Sequence, residues 1–157
     1  MTTRRSAGIV LVRVRAGTPE VLLVHPGGPL WARKDLGAWS IPKGEYGPDD
    51  DALETARREF AEELGAVCPA EELVELGTVV QPGGKHVVAW YGLGDIDTAA
   101  VDSNTFEMEW PPRSGRRQTF PEIDRAEFFP MEVAVEKILG GQRPLLDSLA
   151  RALVALP

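Results

Sequence analysis

The chain has 157 residues, 43% of them hydrophobic, which is enough apolar material for one domain with a proper core and too little length for two comfortable ones. A formal net charge of −7 opposes nonspecific binding to nucleic acid or to an anionic membrane, because the long-range field repels both. The single cysteine, Cys68, excludes an intramolecular disulfide and a cysteine-based zinc site, and it reads as structural.

The first apolar run, Ala7 to Val12, is shorter than a signal-peptide core and passes into Arg13 and Arg15. No segment approaches the roughly 20 apolar residues of a membrane span. The expectation is a cytoplasmic protein, with residues 1–157 forming one domain. Ser6 to Arg15 reads as a strand leaving a covered sheet, and Glu20 to His25 as a second strand antiparallel to it. Pro26 to Gly37, with its glycines, prolines and the cluster Trp31-Ala32-Arg33-Lys34-Asp35, reads as a loop. Trp39-Ser40-Ile41 is expected to be a short strand ended by Pro42.

The strongest helical pattern runs from Asp51 to Leu64. Asp49 to Asp51 offer N-cap oxygens, Asp51 and Glu54 have capping-box spacing, and Gly65 stands where a helix C-terminus favours glycine. Leu73 to Val80 and His86 to Leu93 read as a hairpin, and Thr105 to Trp110 as a half-buried strand. A polar loop, Pro111 to Arg117, follows. A short strand at Ala126 to Phe129 and helices over Met131 to Leu139 and Pro144 to Leu156 complete the expectation. His25 and His86 show no ligand spacing and are taken as structural.

At about 100° per residue, Leu53, Ala56, Phe60 and Leu64 make a core-facing stripe, and Glu59, Glu62 and Glu63 fill a second sector about a right angle away. Spacings of three and four bring these acids close enough to repel by about 0.2–0.5 kcal/mol per pair on an open surface. A solvated face is the commonest explanation of such a cluster. A divalent cation would turn the repulsion into attraction, and all-oxygen ligands suit magnesium or manganese.

The segment Gly44 to Ala66 resembles the Nudix box, G-x5-E-x7-R-E-U-x-E-E-x-G-U, in which U is a bulky apolar residue. Gly44 matches the first glycine, Arg58-Glu59-Phe60 the R-E-U, Glu62-Glu63 the paired acids and Gly65 the closing glycine. Asp50 stands where the box has its second-position glutamate, and Ala66 where an aliphatic residue is usual. Pro42-Lys43-Gly44-Glu45 resembles a P-K-G variant of the box start, seen in members acting on dinucleoside polyphosphates and inositol pyrophosphates. The chain is also similar to a bacterial group described as predicted nucleoside triphosphate pyrophosphohydrolases.

The resemblance implies an α/β fold, the Nudix α/β/α sandwich with a central mixed sheet and the box loop-helix-loop. It implies divalent-metal-dependent cleavage of a pyrophosphate bond in a nucleoside diphosphate-linked small molecule, with Mg2+ or Mn2+ as cofactor. Glu59, Glu62, Glu63 and the main-chain carbonyl of Lys43 would hold the metal. Arg58 would be braced by Asp50, and the general base would be Glu62, Glu59 or Glu122, with Glu107 behind them. Substrate contacts are expected from Trp31, Arg33, Lys34 and Lys43, and from Arg113, Arg116 and Arg117 on the polar loop. The alternative is a Nudix-fold sensor or partner module that binds a nucleotide without catalysis.

Overall fold

The apolar run near the N-terminus becomes the centre of the sheet. In the computed structural model, which describes residues 3–154, Ser6 to Val12 of β1 (Arg5–Arg15) are all buried. To one side lies β5 (His86–Leu93), parallel to β1, and beyond it β4 (Val74–Val80), antiparallel to β5. To the other side lie β2 (Thr18–Pro26) and then β8 (Ile123–Pro130), both antiparallel to their neighbours. The order β4-β5-β1-β2-β8 gives the expected mixed sheet.

Alternation along the strands feeds two cores. Ala7, Ile9 and Leu11 face Ala56, Phe60 and Leu64 of α1 (Ala52–Leu64). Val10 and Val12 join the opposite core, with Ala134 of α2 (Met131–Lys137) and Leu145, Leu146 and Leu149 of α3 (Arg143–Val154). Helices therefore cover both faces, as an α/β/α sandwich requires. Burying a side chain such as Phe60 or Leu64 contributes about 1.5–3 kcal/mol relative to leaving it in water. Leu53, expected in the same stripe, is only partly buried at its edge.

Helix α1 is delimited as its sequence suggests. Glu54 N–H donates to Asp51 Oδ2 at 2.9 Å, and Gly65, with φ of 72°, donates its N–H to Ala61 O.

The edge of β1 that faces β2 is shared. Val12 to Arg15 pair with β2, whereas Ser6 to Gly8 pair with β3 (Lys43–Glu45), so the sheet forks between them. The segment before β3 is wedged into the fork: Ile9 N–H donates to Pro42 O at 3.1 Å, and Val24 N–H to Ser40 O at 2.8 Å.

This corrects the strand expected at Trp39-Ser40-Ile41, which makes only isolated bridges, Val24 with Ser40 and Trp39 with Ile138. Ile41 N–H is taken by the side chain of the buried Gln142, and Pro42 has no N–H, so the ladder begins only at Lys43. The expected strand around Thr105 is β6 (Thr105–Glu109). Its partner β7 (Arg117–Pro121) was not anticipated, because Arg117, Gln118 and Thr119 expose polar side chains; the two form a separate hairpin sheet. Helix α2 stops at Lys137, short of Leu139, whose N–H donates to Trp39 O. The C-terminal helix begins at Arg143, and its expected end at Leu156 lies outside the described residues. Among the described residues no helix is long and apolar enough to cross a membrane.

Candidate active site

The mouth of the fork holds a chamber of about 270 Å³, lined among others by Val24, Ser40, Lys43, Glu63, Glu122 and Trp31. Three local decisions build it. Helix α1 turns its acidic sector toward β3, β3 brings in Lys43 and Gly44, and the turn between β7 and β8 brings in Glu122.

Glu63 is the most enclosed of the acids. Its Oε1 accepts the Lys43 N–H at 3.3 Å, and burial pushes its carboxyl up to about 8 against the opposing attraction of Lys43. The Lys43 ammonium is itself pushed down to about 8, first by burial and then by the neighbouring Lys85. Glu59 is raised too, by burial first and by the charge of Glu62 second. Its carboxylate lies where a Cβ on Gly44 would be, so only glycine lets β3 pass this close to α1. Glu62 is exposed, and Arg58 Nε is 3.9 Å from its Oε1, while Arg58 Nη2 is 3.9 Å from Glu59 Oε1. Among the described residues no three carboxylate, imidazole or thiol side chains are gathered into a ready-made metal cluster.

The expected brace between Asp50 and Arg58 is absent. Asp50 Oδ2 instead accepts Gly47 N–H at 2.9 Å, closing a turn ahead of α1. The side chain is one methylene shorter than glutamate, and the local backbone donor is nearer than the guanidinium.

Of the expected substrate contacts, Trp31 and Lys43 line the chamber. Lys34 reaches over Trp31, its Nζ 5.0 Å from the ring centroid. Arg33, Arg113, Arg116 and Arg117 are exposed and do not line this chamber. Arg113 and Arg116 sit at the tip of the β6–β7 hairpin, and Arg117 Nε lies 4.0 Å from Glu107 Oε2. They were expected on a flexible loop able to close on a polyphosphate; the structure places them, exposed, at and beside the turn of a paired hairpin.

His25 is structural, as expected, and shapes the rim. It is fully buried, with Nδ1 2.8 Å from Asp124 Oδ1 and Nε2 donating to Lys34 O at 2.7 Å, so it ties the Trp31 loop to β8. Gln142 was missed. Its Oε1 accepts from Ile41 N–H and its Nε2 donates to Ser40 Oγ at 3.0 Å, which fixes the floor of the fork. No local pattern marks a glutamine lying 102 residues from the serine it holds.

A mixed sheet between helices, forked where a glycine loop meets a glutamate-bearing helix, defines the Nudix type of α/β/α sandwich. The NUDIX domain profile matches residues 2–149, and the chain belongs to the Nudix family. Among solved structures, the Ap4A hydrolase of C. elegans in a binary complex is similar at 23% identity and a TM-score of 0.67, over 98% of this chain and 99% of that one. The NUDIX domain of Shewanella oneidensis NrtR complexed with ADP ribose is 18% identical with a TM-score of 0.66, over 98% and 90%. A mutT/nudix family protein from Listeria innocua is 18% identical with a TM-score of 0.63, over 98% and 96%. No curated protein matches the chain in sequence.

Proposed function

We propose that the chain is a divalent-metal-dependent pyrophosphohydrolase that cleaves a pyrophosphate bond in a nucleoside diphosphate-linked substrate, either a nucleoside triphosphate or a dinucleoside polyphosphate. The observation that carries this is the strained pair Glu59 and Glu63, two carboxylates held partly out of water beside the bare backbone of Gly44. Carboxylates whose burial outweighs the attraction of Lys43 and Arg58 are costly in themselves and fit a site that receives positive charge with its ligand. Membership of the family, and likeness to an Ap4A hydrolase and to a domain complexed with ADP ribose, support the same substrate class.

The donor set is all oxygen, which suits Mg2+ or Mn2+. Glu59, Glu63 and the Lys43 carbonyl would hold the ion, with Glu62 completing the set. Bound there, the ion neutralises phosphate charge and acidifies water. The chain does the rest. Arg58 lies 3.9 Å from both Glu59 and Glu62 and offsets the repulsion between their carboxylates. The Lys43 ammonium faces the substrate phosphates from the chamber wall, and Trp31 closes its side. Glu122, exposed at the chamber edge, accepts the proton released when water oxygen bonds to phosphorus and the anhydride oxygen leaves. Lys34 steers the polyanion from the rim; Arg33, Arg113, Arg116 and Arg117 contribute only to the long-range field.

Magnesium-dependent phosphate release should be measured on nucleoside triphosphates, dinucleoside polyphosphates and ADP-ribose, with Glu63→Gln as control. Turnover by the wild type and at least 100-fold loss in the variant are expected. Equal turnover would remove the site from α1. Nucleotide binding with no turnover on any compound would make the chain a sensor instead.

A further inference from the structure

At the ends of β1 and β5 remote from the fork, the sheet runs out from under its helices. Register puts Val12, Leu93, Tyr91 and Val74 on one face, since Val12 pairs with Leu93 and Tyr91 with Val74, and Val14 follows Val12 on that face. Val12 and Tyr91 are buried there, but Val14, Leu93 and Val74 are 60%, 52% and 50% exposed. Single exposed apolar side chains are ordinary on a protein surface, whereas a row of them across the adjacent strands β4, β5 and β1 is not. Two open grooves flank the row, of about 450 and 370 Å³, and Leu93 lines both. The row is thus a ridge between two hollows.

The charges beside the ridge differ in sign from one side of Leu93 to the other. On the β4 side Glu71 and Glu72 line one groove, and on the β1 side Arg13, Arg15 and Asp95 line the other. Arg13 is already committed, to Glu20 at 2.7 Å and to Asp95 at 3.3 Å. Arg15, Glu71 and Glu72 are exposed and enter no salt bridge among the described residues. The uncommitted charge is therefore negative at one end of the ridge and positive at the other.

A patch with this pattern complements itself. A two-fold axis crossing the ridge at Leu93 sets Val74 of one copy against Val14 of the other, and Arg15 of each against Glu71 and Glu72 of its mate. A uniformly basic partner would be repelled by Arg15 and a uniformly acidic one by the two glutamates, so neither suits both ends. Edge-to-edge pairing of two sheets through β4 is disfavoured, because the register of that outer strand shifts between Glu75 and Gly77, and Gly77 has a φ of 116°. Such a bulge blunts an edge. The net charge of −7 repels two copies at long range, so apolar contact and ion pairing at short range have to carry the association. We propose that the chain forms a two-fold dimer through the Val14-Leu93-Val74 ridge. Val14 lies about 20 Å along β1 from Gly8, at roughly 3.3 Å per residue, so both fork clefts stay open in the dimer.

Sedimentation of the full chain across the micromolar range tests this. The wild type should move as a dimer, and Leu93→Arg, which sets two like charges at the axis, should raise the dimer dissociation constant at least about 30-fold. Arg15→Glu, and separately Glu71→Arg with Glu72→Arg, should each weaken the dimer about tenfold, and combining all three should restore it to within about threefold of the wild type. Replacing the two glutamates lowers the net negative charge, so general repulsion alone would tighten association where pairing across the axis loosens it. Arg15, Glu71 and Glu72 are exposed, so the charge variants read the interface even if Leu93→Arg melts early. A wild type that sediments as a single chain, a dimer kept by Leu93→Arg, or a combined variant no tighter than its parents would overturn the inference.

Discussion

Adding one methyl group at Gly44 should separate folding from chemistry. Gly44 lies in β3 without a left-handed φ, so alanine suits its backbone, and the perturbation is the clash of the new Cβ with the Glu59 carboxylate and Cγ. Carbon atoms keep about 3.5–4 Å apart, so Glu59 has to swing out of its seat. The stability cost is small, because Glu59 is the flexible end of a side chain already raised by burial, and turning toward water relieves that strain. An off-rotamer side chain costs about 0.5–1.5 kcal/mol. We expect about 1 kcal/mol, or roughly 2–4 °C in melting temperature for a chain of this size. Activity should fall much further, since misplacing a catalytic group by about 1 Å costs on the order of 100-fold. Gly47→Ala is the control: its Cβ meets only Asp50 Oδ2, at 3.5 Å, and it should keep wild-type rates. Initial rates of magnesium-dependent phosphate release, paired with melting curves, read both effects. A Gly44→Ala protein within about threefold of the wild type would refute the reasoning that Glu59 acts from this position.

Glu63→Gln should stabilise the metal-free protein at alkaline pH. Burial raises the carboxyl from 4.5 to about 8, so its contribution is fully present below pH 4.5 and is lost as pH rises to about 8. That shift caps the effect at roughly 5 kcal/mol, and the loss of the partner of Lys43 should leave about 2 kcal/mol, or roughly 4–8 °C, at pH 8.5. Melting curves in chelator at pH 5 and 8.5 test it; a variant equally destabilised at both would show that the charge is unstrained. Asp50→Ala frees the Gly47 N–H and should lower the melting temperature by a few degrees while changing activity less than threefold, since Asp50 does not touch Arg58. A loss of activity matching that of Glu63→Gln would restore the brace. Asp35 is held below the usual carboxylate range by hydrogen bonds from Lys137 first and Trp39 second. Its stabilising share is present above the unfolded carboxylate pKa and is lost as pH falls through the depressed folded value, so Asp35→Asn should melt lower than the wild type at pH 7 and alike near pH 2.

What the sequence made legible was whatever repeats with a local period. The seven-residue buried run of β1, the caps of α1 and the two sectors of that helix follow from spacing alone, and the structure realises each of them. The fork was not legible, because it depends on where the N–H of Ile41 and the carbonyl of Pro42 find partners, and those are Gln142 and Ile9. Strand β7 was hidden for a related reason: with Arg117 to Thr119 exposed, its only pattern is Phe120, and its pairing with β6 is visible only once both are placed. In the candidate site, Glu59, Glu63 and Lys43 were expected to share a metal, and the structure brings Glu63 to the Lys43 N–H and Glu59 against Gly44. The hairpin that carries Arg113, Arg116 and Arg117 was not legible, since a charge in the sequence does not say which strands pair around it.

Register carries the site from these elements to chemistry. Ala7 pairs with Gly44 and Gly8 with Lys43, so β3 turns Gly44 toward α1 and presents Lys43 to the other side of the strand. A slip of one residue would exchange them, driving a lysine side chain into the seat of Glu59. Gly8 helps prevent the slip, because its missing Cβ leaves room for Pro42 O, which would otherwise lie 2.7 Å away, and the Ile9 N–H then fixes that oxygen. Two glycines on paired strands therefore align a helix, a backbone turn and a buried ammonium around one cleft. The packed faces on either side of the sheet supply the stability against which the crowded carboxylates are held. Strain of this kind persists where the surrounding structure over-determines the position, and here that position is the rim where pyrophosphate would be bound.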